Sequence, residues 1–340
     1  MKALLLAGGL GTRLRPLTEN LPKPMLPVAN RPWLEHLILH LKQQGISEFV
    51  ITAKYHGEKI KAHFGDGHAL GVRIQYAHEP TLLGTAGAIK NAEHLLDDRF
   101  IVLNADIIHP VQLLPLLEFH KSHGGVATIG LTEVDDPSQY GVVQQSYSGE
   151  ILRFVEKPPR HLAPSNRVNA GIYVLEKKAL KYIPKGKETS IERETFPLLI
   201  RRQLGVYGSS IHGYWMDMGT PERYLQVHWD VLDGMCALPL PVSASRPQVW
   251  LGRSQIAPTA RVIPPVLIGD GVTIEGNCTV GPYVVLGNHV RVRAGSHLQH
   301  TVVWPFTEVQ AGTQVSHSVL ARDVSVSVAA PEVVEEVVMQ

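Results

Sequence analysis

Along the first two-thirds of the chain, short apolar runs closed by turn residues alternate with stretches of helical period. Lys2–Ala7 is apolar and ends at Gly8-Gly9, the pattern of a buried strand. Pro32–Gln44 places Leu34, Leu37, Ile38 and Leu41 on one helical face and stops at Gly45. Phe49–Ala53 and Val72–His78 predict strands, and Thr85–Leu96 a helix. Phe100–Asn104 predicts a strand that ends at Ala105-Asp106. Pro110–His123 predicts a helix closed by Gly124-Gly125. This strand–helix order predicts an α/β domain with a mainly parallel sheet, whose ligands lie at the carboxyl ends of the strands. From Val126 to Met218 strands dominate, at Val126–Glu133, Gly141–Gln145, Ile151–Val155, Ala170–Leu175 and Val206–His212. A helix over Pro221–Leu232 is expected to close the domain.

The pattern then changes. Residues 236–250 are rich in proline and serine and predict a linker between a first domain, 1–235, and a second. Beyond the linker, Ile256, Val262, Ile268, Ile274, Val280, Leu286, Val292 and Leu298 recur every six residues. Val266, Val272, Cys278, Val284 and Val290 fill a second slot four residues after these. The period slips near Trp304-Pro305 and partly resumes at Val309 and Val315. A six-residue period of aliphatics is a β-helix repeat. It resembles the left-handed parallel β-helix of hexapeptide proteins, expected here over 251–328 with a tail at 329–340.

Composition narrows the function. The 340 residues carry 32 Lys and Arg against 31 Asp and Glu, so a global field for nucleic acid is absent and phosphate chemistry must use local charge. Two cysteines, Cys236 and Cys278, form neither a disulfide framework nor a thiolate metal motif, which fits a reducing compartment. No apolar run is long enough to span a bilayer and no signal-peptide pattern opens the chain; a cytoplasmic protein is expected.

Local charge gathers in LAGGLGTRLRPLTENLPKPMLPV, from Leu6 to Val28. Gly8, Gly9 and Gly11 follow the first strand, and Arg13, Arg15 and Lys23 face one acid, Glu19. Backbone N–H groups freed by glycine can close on phosphate oxygens, with Arg13 as a fork and Lys23 as a point charge. The glycine spacing matches neither a Walker loop nor the dinucleotide fingerprint.

This stretch resembles the signature of the sugar-nucleotide pyrophosphorylases, nucleotidyltransferases that join a nucleoside triphosphate to a sugar 1-phosphate. Five further stretches resemble that family in the same order: EPTLLGTAG from Glu79, Asn104-Ala105-Asp106, FVEKP from Phe154, Asn169-Ala170-Gly171 and WMDMGT from Trp215. Together with DPSQYGVV and SIERETFP, they are most similar to the subgroup that transfers guanylyl groups to mannose 1-phosphate. The resemblance implies a Rossmann-like nucleotidyltransferase domain with a mainly parallel mixed sheet, followed by the β-helix. It implies Arg13, Lys23 and Lys157 as catalytic groups. Leu6, Gly8, Gly9, Gly11, Thr12, Glu79, Gly84 and Asn104 would bind nucleotide. Gly141, Glu156 and Asn169 would bind sugar, and Asp106 and Asp217 would bind Mg²⁺. GTP and mannose 1-phosphate are the implied substrates. A glucose, heptose or amino-sugar 1-phosphate with dTTP or UTP, and a non-catalytic sugar-nucleotide-sensing subunit, are the alternatives. A homo-oligomer is also implied.

Overall fold

The computed structural model describes residues 1–240 and 242–329. Its first compact unit comprises 1–26 and 32–218. It is built on one nine-stranded sheet. The strands are β1 (Ala3–Leu6), β2 (Glu48–Ala53), β3 (Arg73–His78), β4 (Arg99–Asn104), β5 (Ala127–Glu133), β6 (Gly141–Gln145), β7 (Ile151–Glu156), β8 (Arg167–Glu176) and β9 (Val206–Ser210). The main path runs β7-β6-β8-β4-β1-β2-β3, with β5 on β8 and β9 on β5. β1 lies parallel to both β2 and β4, and β2 parallel to β3. β8 runs antiparallel to β4, β5 and β6. The parallel half follows from helical crossovers, the antiparallel half from the run of strands after Val126.

The predicted helices form at Trp33–Gln43 (α1), Gly84–Asn91 (α3) and Leu113–His123 (α4), the Thr85–Leu96 stretch finishing as a 3₁₀ turn at Glu93–Leu95. Gly57–Phe64 (α2) and Phe196–Arg201 (α5) are helices that the pattern did not indicate. α2 buries only Ile60 and Phe64, too sparse a stripe to stand out in sequence. Under the sheet, Phe100, Tyr173 and Phe196 are fully buried beside Leu4, Val102 and Ile129. Each such side chain contributes roughly 1.5–3 kcal/mol.

The second compact unit takes in 27–31 and the chain from Gly219 onward. Helix Pro221–Leu232 (α6) forms as expected but packs here, so it does not close the first unit. Tyr224 explains the grouping: its hydroxyl donates to Pro27 O at 2.6 Å and accepts from Trp304 Nε1 at 2.9 Å. The stretch expected to be a linker is partly ordered as strands, with Ala244–Arg246 antiparallel to Val249–Leu251.

From there the chain winds into three parallel ladders. Val266–Ile268 pairs in register with Val284–Leu286, Thr273–Ile274 with Arg291–Val292, and Thr279–Val280 with His297–Leu298. Each pairing joins residues three hexads apart in sequence. The periodic aliphatics, Cys278 among them, fill one buried core. The slip in the period falls slightly earlier than the sequence suggested. Leu298 still pairs with Val280, but Thr301 pairs with Val284, so one residue is lost between Leu298 and Thr301. An antiparallel strand of the same chain, Val324–Ser327, covers the last rung at Ser318–Ala321. Most of the expected tail, 330–340, lies outside the described residues.

Candidate active site

The site lies at the carboxyl ends of β1 and β4, in the first unit. Beyond β4, Ala105 N–H donates to Leu6 O at 3.0 Å, and Asp106 follows immediately. A two-residue strand, Ile107–Ile108, then pairs antiparallel with Met216–Asp217, setting Asp217 opposite Ile107. That small ribbon brings two acids, 111 positions apart in sequence, to one place.

Lys23 sits between them. Its Nζ is 3.0 Å from Asp106 Oδ2 and 3.2 Å from Asp217 Oδ1. Pro22 leads into the 3₁₀ turn Lys23–Met25, and Lys23 is only 5% exposed. Burial works to lower its pKa, but the two carboxylates outweigh that and hold the ammonium above its usual range. Arg13 Nη2 approaches Asp217 Oδ2 from the solvent side at 3.7 Å. Gly11 is left-handed, with φ 60°, and its carbonyl accepts from Thr18 Oγ1 at 2.7 Å, which folds the glycine loop back over Lys23.

Two cavities open on this cluster. One, of about 320 Å³, is lined by Leu6, Gly8, Gly9, Lys23, Glu79, Gly84, Asn104 and Asp106, with Leu10, Thr52, Leu82, Thr85 and Glu188 added. The other, of about 150 Å³, is lined by Arg13, Asn104, Asp106, Gly141, Glu156, Asn169 and Asp217, with Gln139, Tyr140, Glu192 and Trp215 added. Asn104 and Asp106 belong to both. Of the residues expected to bind nucleotide, Leu6, Gly8, Gly9, Glu79 and Gly84 line the larger space, while Gly141, Glu156 and Asn169, expected to bind sugar, line the smaller.

Three predicted residues line neither cavity. Gly11 lies against Thr18 and Lys23: a Cβ there would stand 3.1 Å from Thr18 Cγ2 and 3.4 Å from Lys23 Cβ. Thr12 is exposed at the start of a 3₁₀ turn. Lys157, just past the end of β7, is exposed with φ 50°, and its N–H is tied to Tyr140 O at 2.9 Å.

Glu79, in the lining of the larger cavity, is buried, and burial raises its pKa against the opposing effects of the Leu83 N–H, Lys54 and His78. In the smaller cavity burial likewise raises Glu156, with the neighbouring Glu192 as the second cause. Asn169 is held by its own strand. A bulge between Asn169 and Tyr173 in β8 turns its side chain so that Nδ2 donates to Tyr173 OH at 2.8 Å, while Oδ1 accepts from Gly171 N–H at 2.9 Å. Gly171 has φ 75°, and a Cβ there would strike Ile107 Cδ1 at 2.5 Å. Tyr140, Glu192 and Trp215 lie in stretches that carried the resemblance, yet nothing in their own spacing marked them as lining residues.

Among the described residues no cluster of three or more His, Cys, Asp or Glu is present. Asp106 and Asp217, already bridging one cation, offer hard oxygen donors of the kind Mg²⁺ takes when its remaining ligands are water and phosphate.

An α/β sheet with a cavity at its strand ends, joined to a second, polar cavity through a lysine and two acids, is the arrangement of a two-pocket enzyme site built around charge. The chain belongs to the nucleotidyl transferase family: the model described as Nucleotidyl transferase matches residues 2–234, and that described as GMPPB C-terminal domain matches 262–338. It is 37% identical to Mannose-1-phosphate guanylyltransferase of Mycobacterium tuberculosis, over 86% of this chain and 81% of that one. It is 38% identical to Mannose-1-phosphate guanylyltransferase 1 of Arabidopsis thaliana, over 96% of this chain and 92% of that one. Among solved structures it resembles HddC from Yersinia pseudotuberculosis complexed with GMP-PN, with a TM-score of 0.58 and 28% identity, over 68% of this chain and 99% of that one.

Proposed function

We propose that the protein transfers a guanylyl group from GTP to mannose 1-phosphate, giving GDP-mannose and pyrophosphate. The observation that carries this reading is Lys23 lodged between Asp106 and Asp217 where the two cavities meet. The relatives named as mannose-1-phosphate guanylyltransferases support the substrate pair, and the neighbour complexed with GMP-PN supports a guanine nucleotide. Glu79 supports the base: a buried carboxylate accepts from the N1–H and N2–H₂ edge of guanine, which pyrimidines do not present.

The chemistry needs no enzyme nucleophile. A phosphate oxygen of the sugar 1-phosphate attacks the α-phosphorus, a new P–O bond forms, and the bond to the β-phosphate oxygen breaks. The electron pair leaves with pyrophosphate. Two anions must meet, so catalysis is positioning and charge neutralisation. Lys23 and Arg13 supply positive charge to the departing pyrophosphate, and the N–H groups of the Gly8–Gly9 turn receive the phosphates. Glu156 and Asn169 hold sugar hydroxyls, and Lys157 closes on the sugar phosphate from its exposed position. Asp106 and Asp217 would hold Mg²⁺, which supplies further neutralisation of phosphate charge. A purified sample that releases no pyrophosphate from GTP and mannose 1-phosphate, with or without Mg²⁺, would refute this assignment.

The second unit fits a left-handed parallel β-helix of hexapeptide repeats. Three ladders with rungs three hexads apart support it. The rungs Glu308–Val309 and Gln314–Val315 end their ladders without a further strand among the described residues, which supports a homo-oligomer through this unit. The two cysteines are free and buried, as suits the cytoplasm. No helix among the described residues is long and apolar enough to cross a membrane.

A further inference from the structure

Glu192 lines the smaller cavity, yet it is held from the larger one. It occupies a single π-helical turn, Ile191–Thr195, a distortion often found at functional positions. Its Oε2 accepts from Thr85 Oγ1 at 2.8 Å and from Ser190 Oγ at 2.8 Å. The Thr85 hydroxyl has spent its only proton on Glu192, and it also accepts from Ile191 N–H at 2.8 Å. Thr85 itself stands in the first turn of α3 and lines the nucleotide cavity. The same turn is keyed to this segment by its backbone: Ala86 N–H donates to Thr189 O at 2.9 Å, and a Cβ on Gly84 would come within 2.7 Å of that oxygen.

The other oxygen, Oε1, has one long contact, 3.5 Å from Tyr173 OH. Tyr173 is fully buried, and its hydroxyl already accepts from Asn169 Nδ2. A carboxylate oxygen takes two donors. Among the described residues Oε2 has both of its donors and Oε1 at most one, so the open capacity lies on Oε1, beside Tyr173 and its partner Asn169, which lines the same cavity. Tyr140 and Trp215, packed edge to face at 5.3 Å, stand among the other lining residues. Aromatic carbon and carboxylate oxygen are the chemistry of a polyhydroxylated ring.

We propose that Glu192 is a specificity-determining residue that accepts a hydrogen bond from one hydroxyl of the sugar, and that Thr85 is its positioning residue, reaching it from the nucleotide side. This rests on the reaction proposed above. The segment 189–192 thus ties the wall of one cavity to a recognition group of the other. A site built around a hydroxyl rejects the analogue that lacks it, because the buried acceptor is then left without a donor.

The test uses the full chain, with mannose 1-phosphate and its four monodeoxy analogues, and GTP. Glu192→Gln is expected to raise KM for mannose 1-phosphate more than tenfold while KM for GTP changes less than twofold. The deoxy analogue that wild type discriminates against most strongly should lose that penalty in Glu192→Gln. Thr85→Val should raise the same KM about tenfold, Thr85→Ser should restore it, and Thr85→Val in the Glu192→Gln background should add nothing. Thermal melting within a few degrees of wild type confirms that each variant is folded. If wild type turns over no sugar phosphate, the reaction assignment fails. If wild type is active and Glu192→Gln keeps both its KM and its penalty for every missing hydroxyl, the role of Glu192 is overturned. A Thr85→Val variant that weakens GTP instead of the sugar phosphate overturns the positioning role.

Discussion

Gly8 leaves open the space that the Glu79 carboxylate uses: a Cβ on Gly8 would stand 2.9 Å from Glu79 Oε1. The clash is with the end of a side chain, so the backbone can stay while the carboxylate swings away. Gly8→Ala is therefore expected to fold normally, to raise KM for GTP about tenfold and to narrow the preference for GTP over UTP and dTTP. Steady-state kinetics with the three triphosphates measures both effects.

Glu79 is costly to the folded state. Its pKa is raised by burial, so the folded protein holds the proton at a pH where the unfolded chain has released it. Its favourable contribution is therefore present below the ordinary carboxylate range and is lost as pH rises through the folded value. Glu79→Gln removes the charge and keeps the shape. The variant should melt higher than wild type at pH 7.5, with the difference shrinking as the pH approaches 4. It should turn over GTP at least tenfold more slowly. A melting series over that range, beside the rate assay, reads the opposition directly.

Asp217 shares Lys23 with Asp106, and its side chain is largely shielded. Asp217→Asn keeps the volume and takes away a charge from both the lysine and any divalent ion. A fall in kcat of more than tenfold is expected, with a higher Mg²⁺ concentration needed for half-maximal rate. Asp106→Asn should act in the same direction. Lys157→Ala tests the exposed member of the set: we expect kcat/KM for mannose 1-phosphate to fall more than tenfold with the fold intact, as circular dichroism would show.

The strands of the parallel half were legible because β1, β2 and β4 carry the short apolar runs Ala3–Leu6, Phe49–Ile51 and Phe100–Leu103. The ladders of the second unit were legible because their core repeats every six residues, and even the slip at Leu298–Thr301 left a mark in the spacing. The central cluster was legible through charge, in Lys23, Asp106 and Asp217. What spacing alone could not show was partnership across distance. Glu192 gains its place from Thr85, far earlier in the chain. α6 is a clear amphipathic helix in sequence, but the Tyr224 hydroxyl, bonded to Pro27 and Trp304, decides which unit it joins. His36 and His40, four apart on α1, also take their surroundings from packing that spacing does not show: His36 is buried, and His40 Nε2 contacts Val111 O at 2.7 Å.

His109 should make the first unit sensitive to acid. It is fully buried against the edge of Trp33, with ring centroids 6.2 Å apart, and neither ring nitrogen has a hydrogen-bond partner among the described residues. Burial, reinforced by His40, pushes its pKa down to about 3 from the usual 6.5. The unfolded chain takes up a proton as pH falls below 6.5, while the folded chain refuses it until near 3. Stability contributed by the neutral ring is thus full above the unfolded value and drains away between the two. At pH 5 the loss is about 2 kcal/mol, at roughly 1.4 kcal/mol per pH unit below the unfolded value. His109→Leu removes the titrating group from a site that already excludes water. The drop in melting temperature between pH 7.5 and pH 5 should therefore be several degrees smaller in His109→Leu than in wild type. An equal drop in the two proteins would mean that the acid sensitivity arises elsewhere. His228 in the second unit, held down to about 4 by the same burial, is the next candidate.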